Sequence, residues 1–265
     1  MKEFEKYFEA NKTSWNKRTI VHKDSSFYGL KEFRAGENSL TRIELEELGD
    51  VKGKSLLHLQ CHFGMDTMSW SRLGAKCVGV DLSDEAIKTA KEINEELGLD
   101  AEFVCCNVYD LKDHLDKKFD IVFTSYGTIG WLPDLEQWAE LISYYLKPGG
   151  IFYIADFHSA LWMMDDNFTF IKYSYFNREI IMDEQVGTYG DKDAPITTTN
   201  YGWNHPFSEI LNALIQNGLT ILHLNEFPFS PYNCFNKLEQ GNDGMWRIAG
   251  MDEKLPVMYS IKARK

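Results

Sequence analysis

Between residues 51 and 157 short, wholly apolar runs alternate with amphipathic ones, and this alternation restricts the fold more than any other feature of the chain. "SLLHLQC", "KCVGVDLS", "AEFVCCNVYDL", "FDIVFTSYG" and "GIFYIADFH" read as strands, while "MDTMSWSRLG", "SDEAIKTAKEINEELG" and "LEQWAELISYYL" read as the helices among them. The second helix has defined ends: Ser83 as N-cap, acids in its first turn and Gly98 as its stop. Strands apolar throughout, alternating with helices at this pitch, predict a parallel sheet covered on both faces. Right-handed crossovers then collect the carboxyl ends of the strands on one edge, where ligands of open α/β sheets bind.

Around this cofactor-type core at 51–161 the chain divides into three further parts. Residues 1–50 read as an amphipathic helical cap rich in aromatic side chains, with Trp15, His22 and Tyr28 among them. Residues 162–205 break the rhythm with two β-like runs around "YGDKDAP", which predicts an inserted hairpin folded across the ligand edge. Residues 206–265 return to helix and strand and complete the sheet. A length of 265 residues suits one core with elaborations better than two independent domains.

A formal net charge of -12 argues against nucleic acid as the main partner, because the average surface repels a phosphate backbone. No apolar run approaches the ~20 residues of a membrane span and no apolar signal core opens the chain, so a cytoplasmic location without membrane association is the expectation. The cysteines, Cys61, Cys77, Cys105, Cys106 and Cys234, are odd in number and sit mostly in apolar runs, which predicts reduced thiols packed in the core.

Chemistry concentrates at the first two strand ends. Strand, small-residue turn, helix, strand and acid is an adenosine-binding order, in which a carboxylate closing the second strand accepts from two ribose hydroxyls. Asp81 lies 17 residues after Gly64 and ends the second strand; its alternative is a cap on the following helix, a role that Ser83 already fills. His58 and His62 invite a metal reading with Cys61 and Asp66, but four-residue spacing makes ligands converge on a helix and not on a strand and turn, so no metal is expected.

On "LLHLQCHFGMDT", "VGVDLS", "FVCCNVYDL", "FDIVFTSYGTIGWLPDL" and "LKPGGIFYIADFH" the sequence resembles the class I S-adenosylmethionine-dependent methyltransferases over most of residues 50–160. The resemblance implies an α/β, Rossmann-like fold: a seven-stranded, mostly parallel sheet with helices on both faces, the last hairpin supplying an antiparallel strand. In that family the first loop reads hydrophobic-Asp-x-Gly-x-Gly-x-Gly, whereas here His58 takes the acidic position, Gln60 and His62 replace two glycines, and only Gly64 is kept. A sulfonium cofactor brings a carboxylate, an amine and a positive sulfur where a dinucleotide brings pyrophosphate, so side-chain groups such as the Gln60 amide suit S-adenosylmethionine better than NAD.

The resemblance further implies that Asn107, Val108 and Leu82 surround adenine and ribose, and that the loop after the fourth strand, with Ser125, Tyr126, Gly127 and Trp131, lies beside the transferred methyl group. His158, Tyr201, Trp203 and His205 are candidates for the acceptor pocket, with either histidine or Tyr126 available for proton transfer. Plain packing is the alternative for Val108, Leu82 and Trp131, and a structural hydrogen bond for each histidine. The implied activity is methyl transfer from S-adenosylmethionine, leaving S-adenosylhomocysteine, to an oxygen or nitrogen of a small organic acceptor. A nicotinamide-dependent oxidoreductase and a non-catalytic S-adenosylmethionine sensor are the alternatives, and monomer or homodimer is left open.

Overall fold

The computed structural model describes residues 2–176 and 179–265; positions 1, 177 and 178, which belong to the cap and the insertion read from the sequence, lie outside the described residues. After α1 (Glu5–His22), α2 (Leu30–Arg34) and α3 (Arg42–Leu48) come β1 (Ser55–Leu59), α4 (Met65–Arg72), β2 (Lys76–Asp81), α5 (Asp84–Glu96), β3 (Glu102–Cys105), β4 (Phe119–Ser125), α6 (Leu135–Tyr145) and β5 (Leu146–Phe157). β6 (Ile181–Val186), β7 (Thr197–Gly202), α7 (Phe207–Gln216), β8 (Thr220–Phe227), β9 (Leu238–Gln240), β10 (Trp246–Ile248) and β11 (Met258–Arg264) follow.

Seven strands form one sheet in the order β3-β2-β1-β4-β5-β11-β8. β1 pairs in parallel with β2 and β4, β2 with β3 and β4 with β5, while β11 runs antiparallel to both β5 and β8. The apolar runs have a simple cause. Leu57, Leu59, Val78, Val80, Phe152 and Ile154 pack on α6 and α7 on one face. Their neighbours Leu56, Cys77, Phe123, Tyr153 and Ala155 pack with Trp70, Ile87 and Phe33 on the other, so both sides of the central strands β1, β2, β4 and β5 are buried.

Three details depart from the sequence reading. The third strand stops at Cys105, because Asn107 accepts from the backbone N–H of Tyr109 at 3.2 Å and caps a short 3-10 helix over Val108–Asp113. All five cysteines are free, yet Cys105 is exposed and Cys106 and Cys234 are only partly covered. The buried face of α1 is mostly polar: beside Phe8, the residues Asn11, Ser14, Arg18, Thr19 and His22 are each at most 4% exposed.

That face packs on β7 of the β6–β7 hairpin, with Asn11 exchanging two 2.8 Å hydrogen bonds with the Tyr201 backbone and Ser14 donating to Asn200 at 2.6 Å. Between β8 and β11 a further excursion carries the small β9–β10 hairpin. Among the described residues no helix is long and apolar enough to cross a membrane.

Candidate active site

At the carboxyl edge of the sheet lies a cavity of about 710 Å³, lined by the ends of β1, β2, β4 and β5, by α1 and the β6–β7 hairpin, and by Tyr232, Cys234 and Phe235 from the loop after β8. Its volume is within the ~300–1,000 Å³ typical of small-molecule sites.

The β1–α4 loop keeps its backbone shape without its glycines. Gln60, His62 and Gly64 have φ of 57°, 51° and 77°, so alternate residues are left-handed at the three positions where the resemblance places glycines. A side chain in that region costs roughly 1–2 kcal/mol, which other contacts must offset. Gln60 donates from Nε2 to the Thr128 carbonyl at 2.9 Å. His62 donates its backbone N–H to Asp81 Oδ2 at 2.7 Å, and its ring lies 5.3 Å from those of Trp15, His22 and Tyr28 and 4.4 Å from that of Phe63. Gly64 has no such freedom, since a Cβ there would sit 2.5 Å from the Phe103 ring. Gln60 Oε1 is buried without a partner, an acceptor oriented for a ligand donor to satisfy.

Asp81 accepts from His62 N–H with one oxygen and from Ser83 N–H, at 2.8 Å, with the other, and burial raises its carboxyl to about 6. Ser83 is the cap of α5, accepting from Ala86 N–H at 3.0 Å. Leu82, Asn107 and Val108 line the same end of the cavity. Asn107 has one lone pair engaged in its capping bond, leaving the other lone pair and the amide N–H groups for a ligand.

At the other end of the loop, Asp66 in the first turn of α4 accepts from Ser39 Oγ at 2.7 Å and Ser125 Oγ at 3.2 Å. Burial, with Glu44 nearby, raises Asp66 to about 7. His58 lies behind it, with Nδ1 2.8 Å from Thr67 Oγ1 and Nε2 3.5 Å from Ser125 Oγ, and burial lowers it to about 3. A residue this reluctant to protonate is a fixed neutral dipole and not a proton carrier at neutral pH.

Tyr126, left-handed at φ 44°, donates to Glu44 at 2.8 Å and lies 3.0 Å from Thr41 Oγ1. Burial foremost, and the Glu44 carboxylate, raise its hydroxyl well above the usual range, so it serves as a donor and not as a base. Asp156 at the end of β5 fixes the same loop, accepting from the N–H groups of Gly127 at 2.5 Å and Thr128 at 3.0 Å.

Of the acceptor-side candidates, Trp131 and Trp203 line the cavity, and Trp131 Nε1 donates to the Gly127 carbonyl at 2.8 Å. The structure does not bring His158, His205 or Tyr201 to it. His158 Nε2 pairs with Glu226 at 2.8 Å while Nδ1 accepts from Ala160 N–H at 3.0 Å. His205 Nε2 lies 2.8 Å from the Leu132 carbonyl, beside Glu209 at 3.2 Å. The Tyr201 ring packs 4.7 Å from Tyr7, on the flank of α1.

Sequence reasoning missed Arg18, Asp66 as a site residue, Asp156, Tyr189 and Tyr232, all of which line the cavity. For Arg18 the only local signal was that Asn11, Trp15, Arg18 and His22 recur at helical spacing and so share one face of α1.

The methyltransferase-domain family model matches residues 57–154, from within β1 into β5. The human mitochondrial ubiquinone biosynthesis O-methyltransferase is 28% identical over 94% of this chain and 62% of its own length. The ubiquinone biosynthesis O-methyltransferase of Chromobacterium violaceum is 30% identical over 48% of this chain and 53% of its own. The chain thus spans between about half and three fifths of these curated relatives. An S-adenosylmethionine-dependent methyltransferase from Clostridium acetobutylicum shares the fold with a TM-score of 0.58 at 15% identity, over 95% of this chain and 98% of that one. The DhpI–SAH complex does so with a TM-score of 0.56 at 16% identity, over 97% and 96%. The family model is thus seated on the five parallel strands that carry the adenosine-type loop and acid: residues 57–154 match a methyltransferase domain, and the chain shares its fold with S-adenosylmethionine-dependent methyltransferases.

Proposed function

We propose that the chain uses S-adenosylmethionine to methylate an oxygen or nitrogen of a small organic acceptor, with oxygen favoured by the names of its O-methyltransferase relatives. The observation that carries the reading is the left-handed Gln60–His62–Gly64 loop joined through His62 N–H to Asp81. This pairing supports Asp81 as acceptor for the ribose hydroxyls, Leu82, Asn107 and Val108 around adenine, and Gln60, Asp66 and Ser125 at the amino acid end, where a carboxylate and an orphan amide oxygen suit an ammonium group. Bound S-adenosylmethionine supplies an electrophilic methyl group. Trp131, Trp203 and the covering segments 1–50 and 162–205 then exclude water and hold the acceptor in line, which is what methyl transfer chiefly requires.

Calorimetric titration with S-adenosylmethionine, S-adenosylhomocysteine and NADH in parallel tests the proposal. Micromolar binding of the first two alone is expected, and binding of NADH, or of none, would sink it.

A further inference from the structure

The cavity contains a cation without an anion. Arg18 is 4% exposed and burial lowers its pKa, yet among the described residues no carboxylate lies within ion-pair distance of it. Its Nη2 donates to the neutral Gln185 Oε1 on β6 at 2.8 Å, its Nε has no partner, and its guanidinium carbon stands 5.1 Å from the Trp15 ring and 5.7 Å from that of Trp131. Of the charged and titratable groups whose fields reach it, Tyr28 and Tyr189 are neutral phenols, and Asp183 on β6 is too distant to pair. In a chain with 40 acidic residues and 28 Lys and Arg, a buried arginine left without an acid is a costly arrangement, because a charge removed from water needs a counter-charge or a full set of hydrogen bonds.

A ligand can supply both. Arg18 lines the cavity, and the planar fork of its guanidinium matches a carboxylate or similar oxyanion. Its direct contacts are with the β6–β7 hairpin, Trp15 of α1 and Trp131 of the post-β4 loop, which the methyltransferase reading puts on the acceptor side, although its charge also reaches His62 of the first loop. Around it the walls are aromatic: Trp15, Tyr28, Trp131 and Tyr189.

We propose that Arg18 is the recognition site for an anionic group on the methyl acceptor, making this chain selective for a planar acceptor that bears a carboxylate or equivalent oxyanion. The inference rests on the methyltransferase reading above, and the one other source of a carboxylate is the cofactor itself.

The test uses benzoate and benzamide as probes, on the full chain saturated with S-adenosylhomocysteine and at constant ionic strength. Benzoate should raise the unfolding temperature and bind at least tenfold more tightly than benzamide. In Arg18→Gln that preference should disappear while S-adenosylhomocysteine affinity stays within threefold, and Arg18→Lys should restore part of it, which separates lost recognition from lost folding. Equal binding of benzoate and benzamide by the wild-type chain, or weak binding of both, overturns the proposal. So does a tenfold loss of S-adenosylhomocysteine affinity in Arg18→Gln, which would give Arg18 to the cofactor carboxylate. If the wild-type chain binds benzoate but not S-adenosylhomocysteine, the anion site stands and the cofactor reading fails.

Discussion

The backbone N–H of His62 donates to Oδ2 of Asp81 across 2.7 Å, so the residue that replaces a glycine in the first loop is also the residue that orients the acid at the end of the second strand. Loop and carboxylate are therefore one unit, and substitutions in either should be felt in the other.

If Asp81 accepts from both ribose hydroxyls as proposed, Asp81→Ala should weaken S-adenosylmethionine binding by at least ~2 kcal/mol, about thirtyfold, because those charge-assisted bonds are lost and the His62 backbone is freed. Calorimetry measures it directly. Since burial raises the Asp81 carboxyl to about 6, affinity in the unaltered chain should be full above that pH and fall as the acid protonates below it.

The left-handed backbone at residue 60 makes a paired substitution informative. Gln60→Gly and Gln60→Ala both lose the bond to the Thr128 carbonyl, but only alanine retains the strain at φ 57°. The glycine variant should be the more stable by ~1 kcal/mol in urea denaturation, and equal stabilities would contradict the strain argument.

At residue 64 the outcome is reversed. Gly64→Ala combines a left-handed φ of 77° with a Cβ placed 2.5 Å from the Phe103 ring, and should cost ~2–4 kcal/mol of unfolding free energy. A denaturation midpoint within error of the unaltered chain would mean that the Phe103 ring moves freely.

Buried His58 gives a pH signature. Its folded pKa is depressed to about 3 while the unfolded side chain titrates near its ordinary 6.5, so its contribution to stability is complete above 6.5 and is lost as pH falls below it. Relative to His58→Gln, the unaltered chain should lose ~2 kcal/mol more stability between pH 7 and pH 5. Parallel slopes for the two proteins would remove His58 from the account of acid sensitivity.

Strand runs, the Ser83 cap and the acid at 81 were legible because each is a local consequence of patterning or of a short spacing. The α1 stripe was harder to interpret: Asn11, Ser14, Arg18, Thr19 and His22 look like a solvated face until β7 is laid across them from nearly two hundred residues away. His158 and His205 attracted a catalytic reading by residue type, but His158 is held by Glu226 and Ala160 N–H and His205 by the Leu132 carbonyl, and the distant partners, Glu226 and Leu132, are ones that no local spacing announces. Tyr232 and Cys234 were invisible for the same reason, since an irregular loop carries no period to read.

The strand order also has a consequence in time. β8 has β11 as its sheet neighbour, and β11 alone joins it to β5, so during synthesis β8 waits with both edges open while the strands from β1 to β5 can already associate. The half of the pocket formed by Asp81 and Gly64 can thus take shape early, whereas the segment bearing Tyr232 is tethered at both ends only when β11 docks.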